Sequence, residues 1–176
     1  YSNSFICLSD PITLMKSCKN NAEINGARKA HLVDGVALTK FIHWLENEVD
    51  STSNNYTEIS LARKLLNFRK SNKDFKGLSF GTISSLGSNG AVIHYQPEKE
   101  TDKDLSDNDI YLLDSGGQYK FGTTDVTRTI LNKRDKKPKD FNEISNNYTL
   151  VLKGHIAVAE SHFKKGETGK NLDNKA

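Results

Sequence analysis

Apolar residues recur at steps of three and four through residues 20–49. Ile24, Ala27, Leu38, Phe41, Leu45 and Val49 share one stripe, with His31 and Asp34 set into it. That period predicts a long helix with one face turned to a core. Asn20 or Asn21 can cap its start, and the polar run 50–55 ends it. A second helix is predicted over 57–71 from Ile59, Ala62, Leu65, Leu66 and Phe68. Thr57 is its cap, with Glu58 beside the positive end of the helix dipole. The pattern then changes. Residues 78–86 mix apolar side chains with Ser, Thr and Gly, and Gly87-Ser88-Asn89-Gly90 reads as a turn. Residues 91–95 are predicted as a short strand that carries His94 near its outer end. Residues 96–109 read as a charged surface loop. Residues 110–113 form a strand leading into Asp114, and the β-branched run 126–131 forms another. A last helix is predicted over 149–163, followed by a turn at 166–171 and a helix start at 172–176. Helices, then an antiparallel sheet, then a helix make an α+β fold without a βαβ phosphate site.

Composition narrows the class. The chain has 176 residues, 35% of them apolar and 27% charged, with a net charge of +3. It has enough length for one domain with a core, or for a large piece of a bigger one. No run approaches the roughly 18 apolar residues that span a bilayer, and the start does not read as a signal peptide. The expectation is no membrane partner. The first residue is Tyr1 rather than methionine, which suggests a processed or partial chain. The basic run Lys133-Arg134-Asp135-Lys136-Lys137 is interrupted by an acid and followed by Pro138, so it reads as a solvated loop, not a nucleic-acid patch. Cys7 and Cys18 lack ligand-like neighbours and suit a reduced protein. Asn55-Tyr56-Thr57 and Asn147-Tyr148-Thr149 match a glycosylation acceptor pattern too common to establish secretion. Gly-Glu-Thr-Gly-Lys at 166–170 lacks the spacing of a phosphate-binding loop.

The chemistry centres on Asp114-Ser-Gly-Gly-Gln-Tyr-Lys-Phe-Gly-Thr-Thr-Asp125. A symmetric hairpin turning between Tyr119 and Lys120, with Gly116, Gly117 and Gly122 nearby, sets Asp114 across from Asp125. Facing Cβ atoms in such a pair lie about 4.5–5.5 Å apart. Two bare carboxylates at that distance repel, and a divalent cation reverses the sign of the interaction. Aspartates also flank turns for backbone reasons alone, so solvated hairpin ends are the competing reading. Two carboxylates do not complete a hydrolytic metal site, and further ligands are needed from elsewhere. His94 suits substrate binding, hydrogen bonding or metal ligation. His31 and His43 read as packing or surface residues. His155 and His162 are not at the four-residue spacing of a helical zinc pair.

Four segments together carry a resemblance: NAEINGARKAHLVDGVALTKFIHWLE at 21–46, LSFGTISSLGSNGAVIHY at 78–95, IYLLDSGGQYKFGTTDVTRT at 110–129 and YTLVLKGHIA at 148–157, continuing into the turn at 166–173. The chain resembles the eukaryotic long-form cytosolic Xaa-Pro aminopeptidases, or aminopeptidases P. The resemblance implies a creatinase-like, or pita-bread, α+β catalytic domain. It implies an enzyme that removes the first residue of peptides with proline at position two. It also implies two divalent ions, manganese in first place with zinc or cobalt as alternatives, that activate a water for attack on the carbonyl carbon before proline. Asp114 matches a metal-binding aspartate and Asp125 the aspartate that bridges both ions. His94 matches the histidine that binds or orients substrate, and Thr127 a supporting position. A cytoplasmic location and a homodimer follow for the full enzyme.

The chain departs from the family pattern at Gly81 and Ser88, where many relatives carry proline, and in a long charged loop at 133–147. The family's remaining metal ligands, a histidine and two glutamates, fall past the matched segments. The expected organisation is therefore a lead-in over 1–19 and the N-terminal part of a pita-bread domain over 20–176, truncated before those ligands and inactive by itself. The alternative is a non-enzymatic creatinase-fold module that binds proteins or histones. Retention of both aspartates argues against it.

Overall fold

The computed structural model describes residues 8–49, 56–106, 110–132 and 138–176. The expectations at Cys7, at the run 50–55 and at the basic loop 133–137 lie outside the described residues. The chain divides into two compact units, 1–134 and 135–176.

In the first unit a short helix α1 (Pro11–Ser17) precedes α2 (Asn21–Asn47) and α3 (Glu58–Lys70). The predicted caps form. The Asn20 side chain accepts from the Glu23 N–H while the Glu23 carboxylate accepts from the Asn20 N–H. Thr57 and Ser60 exchange the same pair of bonds at α3. Each box satisfies two N–H groups that a helix start otherwise leaves unpaired. The inward face of α2 is partly shifted from the predicted stripe. Ala30, Ala37, Phe41, Trp44 and Leu45 are buried, Ile24 and Ala27 are half-buried, and His31 is exposed. His31 instead bonds its own helix through Nδ1 and the Ala27 carbonyl at 2.9 Å. His43 is likewise exposed, and its carbonyl accepts from Asn47 Nδ2 on the same helix.

The strands are β1 (Phe75–Leu78), β2 (Ile83–Leu86), β3 (Ile110–Ser115), β4 (Gly117–Tyr119), β5 (Gly122–Thr123) and β6 (Val126–Leu131). They build two small antiparallel sheets, ordered β1-β4-β5 and β2-β3-β6. One long hairpin supplies strands to both, through β3 and β4 on one arm and β5 and β6 on the other. Burial alternates along β3. Tyr111, Leu113 and Ser115 point into the core, while Ile110, Leu112 and Asp114 lie on a half-covered face. Tyr111 and Leu113 join Leu38, Phe41, Leu45, Leu61, Leu65 and Leu86 in one hydrophobic cluster. This is period-two geometry with one face buried.

The segment expected as a strand over 91–95 is not one. A 3-10 turn occupies Gly87–Ala91, the chain continues irregularly, and His94 takes a left-handed backbone with φ of 55°. The apolar run Ala91-Val92-Ile93 mimics a buried strand, yet all three residues are exposed.

The second unit holds α4 (Phe141–Ala159) and α5 (Gly169–Asp173). The helix starts eight residues before the predicted boundary at 149, because its first two turns carry few apolar residues. Tyr148, Leu150, Val151, Leu152 and Ile156 on α4 are exposed. His155 and His162 are exposed as well. A Cβ on Gly154 would sit 2.2 Å from the Ala176 carbonyl, so glycine is what lets the backbone at Ala176 pack against this helix.

Candidate metal centre

The hairpin bearing the two aspartates is in a different register from the symmetric one expected. Tyr119 pairs with Gly122, Gln118 with Thr123, Ser115 with Val126 and Asp114 with Thr127. Between the sheets the Thr124 N–H donates to the Gly117 carbonyl at 2.9 Å, keeping the same register. The tight turn is therefore Lys120-Phe121, one residue later than expected, and Asp114 faces Thr127 instead of Asp125. The misreading has a physical cause in Gly122. That glycine serves a helix contact: its added Cβ would lie 2.9 Å from the Gly26 carbonyl, and one on Gly26 would lie 2.1 Å from the Phe121 carbonyl. The turn rests on the backbone of α2, with Lys29 Nζ 4.3 Å from the centre of the Phe121 ring.

The corrected register still puts the carboxylates on one side. Asp125 immediately precedes β6, two residues before Thr127, so strand alternation carried one residue past the ladder puts it on the face of Thr127 and Asp114. The two aspartates are diagonal neighbours, a relation with Cα atoms about 7–8 Å apart and Cβ atoms closer. That spacing suits two carboxylates converging on ions between them better than direct opposition does. Asp125 is exposed and Asp114 half-buried. Asp114 Oδ1 is buried with no hydrogen-bond partner. A buried carboxylate oxygen without a partner is costly, and a divalent cation is one group that removes the cost. The donor set, hard anionic oxygen, fits manganese, magnesium or calcium best and zinc acceptably. The residues present therefore fit part of a divalent metal site. Among the described residues no group of three His, Cys, Asp or Glu side chains converges on one point.

The ladder around the aspartates is fixed from behind by groups that the sequence reading did not single out. Arg69, on the last turn of α3, donates from Nε to Asp34 Oδ1 at 2.7 Å and from Nη2 to Asp34 Oδ2 at 3.0 Å. Nη2 also donates to Ser115 Oγ at 3.1 Å, beside Asp114, and the Tyr119 hydroxyl donates to Asp34 Oδ1 at 2.7 Å. This buried network ties α2, α3, β3 and β4 together. Burial pushes the Asp34 carboxyl up, but hydrogen bonds from Arg69 and Tyr119 outweigh it and hold the group below the usual carboxylate range. Its only sequence signal is an aspartate set in an otherwise apolar helix stripe. On the other side, Gly116 is obligatory: a Cβ there would lie 2.0 Å from the Thr124 carbonyl and 2.2 Å from Ser79 Oγ. Ser79 Oγ donates to that carbonyl at 2.9 Å, one residue before Asp125.

His94 is exposed, on an arch that leaves the far end of β2. The arch crosses the face that bears Asp114. A Cβ on Gly90 would be 3.6 Å from Leu112 Cβ and 3.7 Å from Ser85 Oγ, both on that face. The arch then returns toward Asp114. Gln96 Nε2 donates to the Gly81 carbonyl at 3.2 Å, and Ile83, two residues on, pairs directly with Asp114. Register and loop path thus bring Asp114, Thr127, Asp125 and the His94 arch to one side of the β2-β3-β6 sheet. His31 and His43, on α2, take no part in this grouping.

Comparison with known proteins gives the family. Residues 25–176 match the model of metallopeptidase family M24. A probable Xaa-Pro aminopeptidase P from Arthroderma otae is 47% identical over 163 residues, covering 93% of this chain and 25% of that protein. One from Podospora anserina is 46% identical over 167 residues, covering 93% of this chain and 23% of its own length. The crystal structure of the Caenorhabditis elegans X-prolyl aminopeptidase, a cytosolic enzyme with a di-nuclear active site, superposes with a TM-score of 0.82 at 40% identity, covering 94% of this chain and 26% of that one. The chain spans about a quarter of the length of these relatives. Its α+β architecture is thus part of a creatinase-like domain. No described helix is long and apolar enough to cross a membrane. With an aspartate pair on one sheet face and a family match over most of its length, the chain belongs to metallopeptidase family M24.

Proposed function

We propose that the protein carrying this chain is a cytoplasmic, homodimeric metalloaminopeptidase that hydrolyses the bond before proline when proline is the second residue of a peptide. The observation that carries this reading is the unpartnered, buried Asp114 Oδ1 on the same sheet face as Asp125. In this reading Asp114 and Asp125 would be among the residues that hold two divalent ions, manganese ahead of zinc or cobalt. When bound, the ions supply a water acidic enough to act as a nucleophile near neutral pH and polarise the carbonyl it attacks. The protein's own side chains place the reactants. The two carboxylates accept only and bring negative charge to the site. Thr127, paired with Asp114 in the ladder, keeps the two carboxylates apart on one surface. His94, on its exposed arch, orients the substrate by a hydrogen bond. The chain by itself is proposed to be inactive, since its described residues bring no third acidic or histidine ligand to the pair.

The test is hydrolysis of a short Xaa-Pro peptide by the full-length protein. Manganese-dependent release of the first residue is expected, lost in Asp114→Asn and in Asp125→Asn. Cleavage that survives both substitutions, or that ignores position two, would overturn the proposal. So would robust manganese-dependent cleavage by the 176-residue chain alone, for the inactivity of that chain.

A further inference from the structure

Glu58 is fully buried at the start of α3, yet among the described residues no side-chain cation forms an ion pair with it. Its carboxylate is instead saturated by neutral donors. The Leu86 N–H donates to Oε1 at 2.6 Å, and Asn89 Nδ2 approaches Oε1 at 2.9 Å and Oε2 at 3.1 Å. The Tyr95 hydroxyl donates to Oε2 at 2.6 Å, and the Lys103 N–H reaches Oε2 at 3.3 Å. Four donors match the four lone-pair sites of a carboxylate. Two of these donors, Asn89 and Tyr95, are the two feet of the arch that carries His94. They also meet each other, Asn89 Nδ2 donating to the Tyr95 hydroxyl at 2.8 Å. Between the feet, Val92, Ile93 and His94 are exposed and gain little from packing. His94 nevertheless holds a left-handed φ of 55°, a conformation unfavourable for a residue with a Cβ. Such a conformation persists only where its surroundings over-determine it. Here the surroundings are the two feet, and both stand on one carboxylate.

We infer that Glu58 is a positioning residue that fixes the Asn89–Tyr95 arch and so holds His94 in place for substrate. The inference rests on the proposed peptidase reading for its catalytic consequence, but its structural half does not. An amide at position 58 would turn an N–H toward at least one of the donors now bound, so Glu58→Gln breaks the clamp at nearly constant shape. Tyr95→Phe removes one foot and keeps the ring. Ser84→Ala serves as the comparison. Ser84 Oγ is buried and donates to the Glu58 carbonyl at 2.7 Å, but it does not touch the arch.

The experiment uses the full-length, manganese-loaded protein and reads three quantities: amide hydrogen exchange over 89–95, metal per chain, and kcat/KM for an Xaa-Pro peptide. Glu58→Gln and Tyr95→Phe are expected to speed exchange over 89–95 about tenfold or more and to keep the metal. They should lower kcat/KM by about tenfold or more, the loss expected from a misplaced orienting group. Ser84→Ala should leave kcat/KM within about twofold. Unchanged exchange over 89–95 overturns the inference. So does kcat/KM that stays near wild type while the arch loosens, or that falls equally in Ser84→Ala, as a purely structural role requires. If the wild-type protein cleaves no such peptide, the peptidase reading fails, and the exchange data alone decide whether Glu58 anchors the arch.

Discussion

Replacing Asp34 with asparagine removes the charge that balances a guanidinium at 0% exposure. In the native protein the pair is bidentate, at 2.7 and 3.0 Å, and Asp34 is itself only 1% exposed. The amide would keep one acceptor and turn an N–H toward Arg69 or Tyr119. Arg69 already has Nη1 buried without a partner, so no reserve of hydrogen bonds compensates. A buried ion stripped of its partner costs about 3–5 kcal/mol. At about 1.4 kcal/mol per factor of ten, that raises the opening equilibrium by two to three and a half orders of magnitude. The network joins α2, α3, β3 and β4, so the loss belongs to those elements together. The assay is native-state hydrogen exchange of the full-length protein, reading the β3 and β6 amides. Acceleration below about tenfold, near 1.4 kcal/mol, would refute the reasoning. The double variant Asp34→Leu with Arg69→Met leaves no stranded charge and should recover the larger part of the loss. The same pair sets an acid limit. The folded Asp34 carboxyl lies below its unfolded value of about 3.9, so its stabilisation is present above that pH and fades as pH falls through the folded value. Asp34→Asn should lack that component of acid sensitivity.

Three further outcomes follow from the same structure. Gly116→Ala forces a Cβ to 2.0 Å from a backbone carbonyl, and should destabilise the hairpin by about 1–3 kcal/mol or more in urea unfolding. Burial raises the phenols of Tyr95, Tyr111 and Tyr119 above their usual value. Below about pH 10 these groups add no pH dependence; above it the unfolded chain ionises first, stability falls, and their phenolate absorbance should appear only with unfolding. Asp114→Asn removes one of two neighbouring like charges, so the metal-free variant should melt at or above the wild-type temperature while losing the rise in melting temperature that added manganese gives the wild type.

α2 and α3 were legible because period and capping chemistry agree, whereas α1 and the first two turns of α4 were not. Asn20 with Glu23 and Thr57 with Ser60 mark two starts to within a residue. The strands at 110–113 and 126–131 were legible, the second from its β-branched content, and β3 runs two residues further to Ser115. The register between them was not. Gly122 and Gly116 look like turn-formers, and only the tertiary structure shows that one rests on α2 and the other on Ser79 and Thr124. A single-residue error in the turn exchanged facing aspartates for diagonal ones without moving either off the shared face. His94 was found for its chemistry and misplaced in its backbone, since an exposed apolar arch reads like a strand edge. Arg69 and Glu58 were invisible as organising groups. A charged residue on a helix is ordinarily solvated, and nothing in a local window reveals partners 35 or 37 positions away.

The central claim is that Asp114 and Asp125 share a pair of metal ions on one face of the β2-β3-β6 sheet. Anomalous diffraction from crystals of the full-length protein grown with manganese tests it most directly. The account predicts two peaks about 3.5–4 Å apart, both touching Asp125 and one touching Asp114. Peaks elsewhere, or a metal-free aspartate pair in protein that is active with manganese, would contradict it.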